Sequence, residues 1–206
     1  MKATKWKSYS LALIAGMSVL TACSSDDNND NGGNGNNGNG NEIENGTTLK
    51  GTITSDVTLT AGSTYKLSGE YIVEDGATLN IEAGVKIISI YDDIVDYILV
   101  KQGGKINAVG TSSAPIVMTS EKEEPGAWGG IHICGKAHTN AEGGKGSSEI
   151  GGATYGGNDD ADNSGTLKYV RVEYSGYAFD SEHEANGITF YGVGNGTTVE
   201  LSLIHI

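Results

Sequence analysis

The feature that most constrains this chain is an internal repeat. Val73-Glu74-Asp75-Gly76-Ala77-Thr78-Leu79-Asn80-Ile81 aligns with Val100-Lys101-Gln102-Gly103-Gly104-Lys105-Ile106-Asn107-Ala108, an offset of 100 − 73 = 27 residues. A period between about 20 and 50 residues is what a solenoid produces, because one coil cannot bury its apolar side alone and must stack on the next. Beyond Cys23 no segment sustains a 3.6-residue apolar period. Short alternating or β-branched runs recur instead between Gly, Asn and Asp turns: Ala77 to Ile81, Gly84 to Ile87, Lys105 to Ala108, Pro115 to Thr119 and Tyr169 to Tyr174. Each gives one buried and one wet face as a strand. The chain is therefore all-β, and the repeat favours a right-handed parallel β-helix. An antiparallel β-sandwich also spaces short strands regularly and is the alternative.

Composition narrows this further. Thirty-two glycines against two prolines call for many tight turns, and the absence of a Gly-X-Y period excludes collagen. There are two cysteines, Cys23 and Cys134.

The first residues have a separate purpose. Lys2, Lys5 and Lys7 precede the apolar run from Leu11 to Leu20, which is too short to span a bilayer as a helix and has the layout of a secretory signal. Thr21 and Ala22 before Cys23 resemble the lipobox of bacterial lipoproteins. That resemblance implies a signal peptide at 1–22 and acylation of the Cys23 thiol. Two or more acyl chains, at about 0.8 kcal/mol per buried methylene, anchor a protein stably where one does not. With Cys23 so used, Cys134 has no intramolecular partner and the core must hold without a disulfide. The acidic stretch Ser24 to Asp30 resembles the export signal of lipoproteins carried to the outer face of the outer membrane in Bacteroidota; it also reads simply as the start of a solvated linker. Residues 28–41 are almost wholly Asn, Gly and Asp, so the segment 23–45 is expected to be a disordered tether.

Removing signal and tether leaves about 160 residues, enough for one domain, assigned to 46–200. Three of the 13 Lys and Arg leave with the signal, so the mature balance is 10 − 26 = −16. A field of that sign repels nucleic-acid phosphate and anionic headgroups, leaving neutral glycans, cations or basic proteins as partners.

Pro125-Gly126-Ala127-Trp128-Gly129-Gly130-Ile131, Tyr155-Gly156-Gly157, the run from Asn163 to Tyr174, and Gly192-Val193-Gly194-Asn195-Gly196-Thr197 together resemble successive coils of Bacteroidota-type surface lipoproteins with a pectate-lyase-like right-handed β-helix. The resemblance covers roughly residues 59–200. It implies fold and a surface location, lipid-anchored in the outer membrane, and transfers no catalytic residue. Ala127, Cys134 and the inserted run Tyr91 to Tyr97 depart from the pattern. Leu201-Ser202-Leu203-Ile204-His205-Ile206 do not continue it and match the in-frame translation of CTGTCTCTTATACACATC, a transposon end used in sequencing libraries. Residues 201–206 are accordingly expected to be adapter read-through and the chain a fragment, although the alternation also suits a final strand.

Four constellations bear on chemistry. Asp160, Asp162 and Ser164 place oxygen ligands at alternate positions before Gly165, like the first half of a calcium loop, but the twelfth position from Asp160 is Arg171 instead of a bidentate Glu. An Asx-rich turn explains the same residues. Trp128, Tyr155 and Tyr174, with Tyr177, offer aromatic faces for sugar rings, although aromatics in strands commonly pack inward. Glu173, Asp180, Glu182 and Glu184 supply carboxyls for a glycosidase pair, which needs a separation of about 5 to 10 Å; solvated surface charge is the plainer account. His132, Cys134 and His138 lack the paired spacing of zinc sites and read as a packed strand. Gly143 to Ser148 has a phosphate-loop look, but Gly146 separates Lys145 from Ser147, and a mobile loop is expected.

The functional expectation is a noncatalytic surface lipoprotein whose lateral face binds glycan or another surface protein. The alternative is a β-helix polysaccharide lyase or glycoside hydrolase. Lyase chemistry would need a carboxylate-bound calcium and a base in one groove, for which Asp160, Asp162, Lys168 and Arg171 are the compact candidates.

Overall fold

The computed structural model describes residues 41–180 and 183–205. Cys23, the signal segment, most of the tether, Glu182 and Ile206 lie outside these. The described strands stack as a right-handed parallel β-helix with three faces. The first face is one sheet of β1 (Asn41–Ile43), β3 (Val57–Leu59), β5 (Thr78–Ile81), β8 (Lys105–Val109), β13 (Gly165–Lys168) and β16 (Thr198–Glu200), in that order. The long β4 (Thr64–Val73) turns a corner at Gly69 and joins the other two faces. Its first half pairs with β6 (Lys86–Ser89), which leads to β9 (Ile116–Ser120), β14 (Val170–Glu173) and β17 (Leu203–His205). Its second half pairs with β7 (Tyr97–Val100), then β10 (Ile131–Cys134) and β15 (Ile188–Tyr191). β2 (Thr48–Ile53) lies beside β4 across both.

Every pairing between coils is parallel, which excludes the antiparallel sandwich. The repeat noted in the sequence is the structural register. Leu79 lies beside Ile106 and Val73 beside Val100. Asn107 donates from Nδ2 to Asn80 Oδ1 at 3.3 Å, so the aligned asparagines stack too.

The core is built from ladders of like side chains. Leu59, Ile81, Ala108 and Leu167 form one, and Tyr65, Ile87, Met118 and Val172 another, all buried. Burying each large apolar side chain contributes about 1.5 to 3 kcal/mol. The corners need unusual backbone. Gly165 has φ 115, and a Cβ there would collide with the Ile106 carbonyl oxygen. Tyr169 (φ 50) is the single residue between β13 and β14, and Tyr174 (φ 58) follows β14. The run expected as one strand from Tyr169 to Tyr174 is thus shortened at both ends by left-handed residues.

Strands also occur at both ends of the described residues, outside 46–200. β1 falls inside the segment assigned to the tether, because Ile43 packs against the core and its carbonyl accepts the Tyr65 hydroxyl at 2.9 Å. At the other end, Leu203–His205 pairs in parallel with β14, with Leu203 and Ile204 exposed.

The coils differ in what hangs between strands. Residues 135–164 separate β10 from β13 and include a short hairpin of β11 (Gly146–Ser147) and β12 (Thr154–Tyr155). The segment expected to be a loose loop is therefore an ordered cover: Ser148 donates to the Ile150 carbonyl at 2.7 Å and accepts from the Ala153 amide at 2.8 Å. Ile150 and Ala153 pack on Ile72, Leu99 and Cys134, the outward residues of the third face. This is why β7 and β10 are buried on both sides. Residues 174–187, between β14 and β15, form a second excursion, with Ala185 in the same outer cluster.

Candidate ligand-binding cleft

The two excursions meet over the third face. The Glu184 amide donates to Glu149 Oε1 at 3.2 Å, tying one to the other. Between them runs a cleft of about 320 Å³ lined by Tyr97, Glu149, Ile150, Gly151, Phe179, Asp180 and His183. It combines apolar faces with a few polar groups, the usual makeup of a ligand site. A hollow of about 370 Å³ beside it is walled by Lys101, Glu74 and glycine backbone, and its two charges already pair at 2.6 Å. The hollow at Tyr91 to Val95 and Lys122 is about 300 Å³ and likewise has its lysine engaged, with Glu124 at 3.1 Å.

Each wall of the first cleft has an identifiable support. Tyr97 points outward from β7 and donates its hydroxyl to Glu70 Oε2 at 2.8 Å. Burial, then that carboxylate, pushes its pKa up to about 12, so it remains a neutral donor. Phe179 is 40% exposed and is held edge-on by Tyr177 at 5.1 Å between centroids. Asp180 turns back on its own loop: Oδ1 accepts the His183 amide, and both carboxylate oxygens lie 2.9 Å from His183 Nδ1.

Beneath the floor lies His132, fully buried, edge-on to Tyr97 and stacked on Tyr191, each at 6.2 Å. Its Nε2 is 2.8 Å from the Gly129 carbonyl, which can only accept, so Nε2 carries the proton and Nδ1 is a buried acceptor. Burial lowers its pKa and keeps the ring neutral. Cys134, also buried, has its thiol pKa pushed up to about 11 by burial. The strand reading of His132 and Cys134 holds. His138 lies apart, its Nδ1 3.3 Å from Asp160.

The other candidates fall in different places. Trp128 is 1% exposed in the interior and donates from Nε1 to the Glu173 carbonyl at 2.7 Å, so it presents no face to a sugar. Tyr155 is half-buried against Tyr191 at 5.2 Å, and Tyr174 occupies a corner; the three form no single platform. The calcium set does not converge either. Asp160 Oδ1 accepts from the His138 amide at 3.1 Å, whereas Asp162 is buried and its Oδ2 accepts from Ser164 Oγ at 2.9 Å. Among the described residues no cluster of three or more His, Cys, Asp or Glu is arranged around a metal position. Glu173 pairs with Arg171 at 2.6 Å and Lys168 with Glu200 at 2.9 Å, so the acid and base candidates are spent on separate surface pairs.

With this geometry in view, comparison with known proteins gives one finding. Residues 51–205 match the family model described as a pectate-lyase like beta helix domain. The chain belongs to this family. No curated protein and no solved structure matched.

Of the cleft residues, Asp180 was identifiable beforehand as one of the acids near the end of the chain. Tyr97, Glu149, Phe179 and His183 were not. One signal for Tyr97 did exist: Tyr97-Ile98-Leu99-Val100 is apolar throughout, and a strand without a wet face needs a covering segment. The partners supplying that cover are far away in sequence, and only folding brings them together.

Proposed function

We propose that this protein is a lipid-anchored surface lipoprotein, attached through Cys23, whose β-helix binds glycan in the cleft at Tyr97 and Phe179 without chemical turnover. The observation that carries it is that cleft, where the exposed part of Phe179, the edge of the mostly buried Tyr97 and several polar groups converge on the outside of a parallel sheet. Aromatic faces give apolar area to sugar rings, and flanking carboxylates accept from sugar hydroxyls. The basic start, short apolar run and cysteine support export and anchoring; the Asn-, Gly- and Asp-rich composition of the segment that follows suits a tether. The match to a pectate-lyase like family supports a polysaccharide-related role by analogy of fold alone.

The noncatalytic reading is favoured over lyase activity because Asp160, Asp162, Lys168 and Arg171 do not share one groove. Arg171 and Lys168 stand on different faces of the helix, each in its own ion pair. The deciding experiment incubates the full-length protein, in detergent, with a polysaccharide panel, and measures retention and new ends together. Retention without new reducing ends or unsaturated products is expected. Product formation would make it an enzyme, and absence of retention on every glycan would end the glycan reading. In cells, Cys23→Ala should move the protein out of the membrane fraction; unchanged fractionation would remove the anchor from the proposal.

A further inference from the structure

The charge of the cleft points to a narrower ligand class. Among the described residues its lining contains Glu149 and Asp180 but no lysine or arginine, and Glu70 stands directly behind the Tyr97 hydroxyl. The nearest nitrogen base, His183, lies against both oxygens of Asp180. The carboxylates share this lining with two aromatic rings, Phe179, which is 40% exposed, and Tyr97, which is 9% exposed. Carboxylates beside aromatic faces are the combination that recognises an ammonium group, through charge pairing and through attraction of the cation to the ring. The mature chain is itself strongly acidic, so the surrounding field adds to the preference. A polyuronate, with one carboxylate per sugar, would bring like charge up to Glu149 and Asp180.

We propose that the cleft binds amine-bearing sugars, glucosamine-type units with a free protonated amino group, and rejects uronates. This rests on the glycan-binding reading of the same cleft. The ammonium would sit between Glu149 and Asp180, with the sugar's apolar face on Phe179 and its hydroxyls within reach of the Tyr97 side. The selectivity is opposite in sign to that suggested by the family description, since pectate is a polyanion.

The test is calorimetry on the full-length protein at pH 6 with three probes: a β-1,4-linked glucosamine tetramer, its N-acetylated counterpart, and a tetragalacturonate. The glucosamine tetramer should bind about tenfold or more tightly than the acetylated one, a ratio corresponding to one good charge contact. Its affinity should fall as salt rises. Galacturonate should give no heat. Glu149→Gln and Phe179→Ala should each weaken the glucosamine tetramer about tenfold while the melting temperature stays close to that of the parent. Glu82→Gln, on a turn of the first face, should leave it unchanged; an equal loss there would mean only general attraction of a cation to an acidic protein, and would overturn the proposal. Equal binding of the amino and acetylated tetramers, or preference for galacturonate, would overturn the charge argument and leave glycan binding standing. No binding of any of the three, with the broader panel also negative, would remove both.

Discussion

The coil between β5 and β8 and the one between β8 and β13 obey the same register at very different lengths. Leu79 lies beside Ile106 after 106 − 79 = 27 residues, while Ile106 lies beside Gly165 after 165 − 106 = 59. The second coil returns to the same ladder despite its excursion, because closing a longer loop adds only about 0.6 kcal/mol per doubling of length. The shorter coil contributes packing. The longer one contributes the cover over the third face and one wall of the cleft. Fold and site are thus divided between strands and excursions, and each can be altered with limited damage to the other.

The comparison breaks most visibly at Gly165, where the long excursion rejoins the ladder. Gly165→Ala forces a Cβ into the Ile106 carbonyl at positive φ and is expected to cost about 3 kcal/mol or more. Gly76→Ala, in the turn before β5, has open space around its Cβ position and should cost about 1 kcal/mol. Similar melting temperatures for the two would mean that close approach at the rejoining point does not matter.

Next in size, Leu79→Ala should lower stability by about 3 kcal/mol in a denaturant titration, since Leu79 is fully buried between two neighbouring coils. Ile150→Ala should cost about 2 kcal/mol or less and act on the hairpin covering the third face. If Ile150→Ala proved the more damaging, the cover would be part of the folding core and the division would fail.

Asp96 sharpens the picture within the short coils. It is buried, its Oδ1 accepts the Gly69 amide where β4 turns its corner, and burial lifts its pKa from 3.8 to about 6 against the opposing effects of Ser89 and Gly69; the charge of Asp92 lifts it further. A raised carboxyl contributes stability that is complete below about pH 4 and lost as pH rises through about 6. Asp96→Asn keeps an acceptor for Gly69 and removes the buried charge. The variant should be stabilised at pH 7 by about 2 kcal/mol relative to the parent, with the advantage fading toward pH 4. A constant difference across that range would contradict the assignment.

The smallest effect is kinetic. Cys134 lies under the hairpin, so a thiol reagent should reach it when the cover lifts, before the helix unfolds. Ile150→Ala should speed its labelling more than Leu79→Ala does, once both are corrected for global stability. Equal acceleration would make the cover and the coils one cooperative unit.

Much of the fold was legible in the residues. The alignment of Val73 to Ile81 with Val100 to Ala108 became the observed pairing, and the strand expected from Pro115 to Thr119 is present with both ends shifted by one residue. Lengths of excursions hid the rest of the repeat, because an insertion shifts the sequence offset without shifting the register. The site was less visible. Trp128, the most prominent aromatic, proved to be interior, whereas Phe179 and Tyr97 became walls of the cleft. Alternation says which side of a strand is apolar. It does not say which outer surface another part of the chain will cover.

The sequence by itself determined an all-β chain and, through one repeat at an offset of 27 residues, favoured a stacked solenoid; the parallel pairing that excludes a sandwich came from the structure. The sequence also determined the acidic character of the chain and the short apolar run ahead of Cys23. Tertiary structure alone decided where a ligand could rest. Glu149, Phe179 and His183 come from two excursions separated in sequence by a pair of strands, and their convergence over Tyr97 depends on how those excursions pack on the third face, a many-body balance of packing and hydrogen bonding that no local pattern encodes.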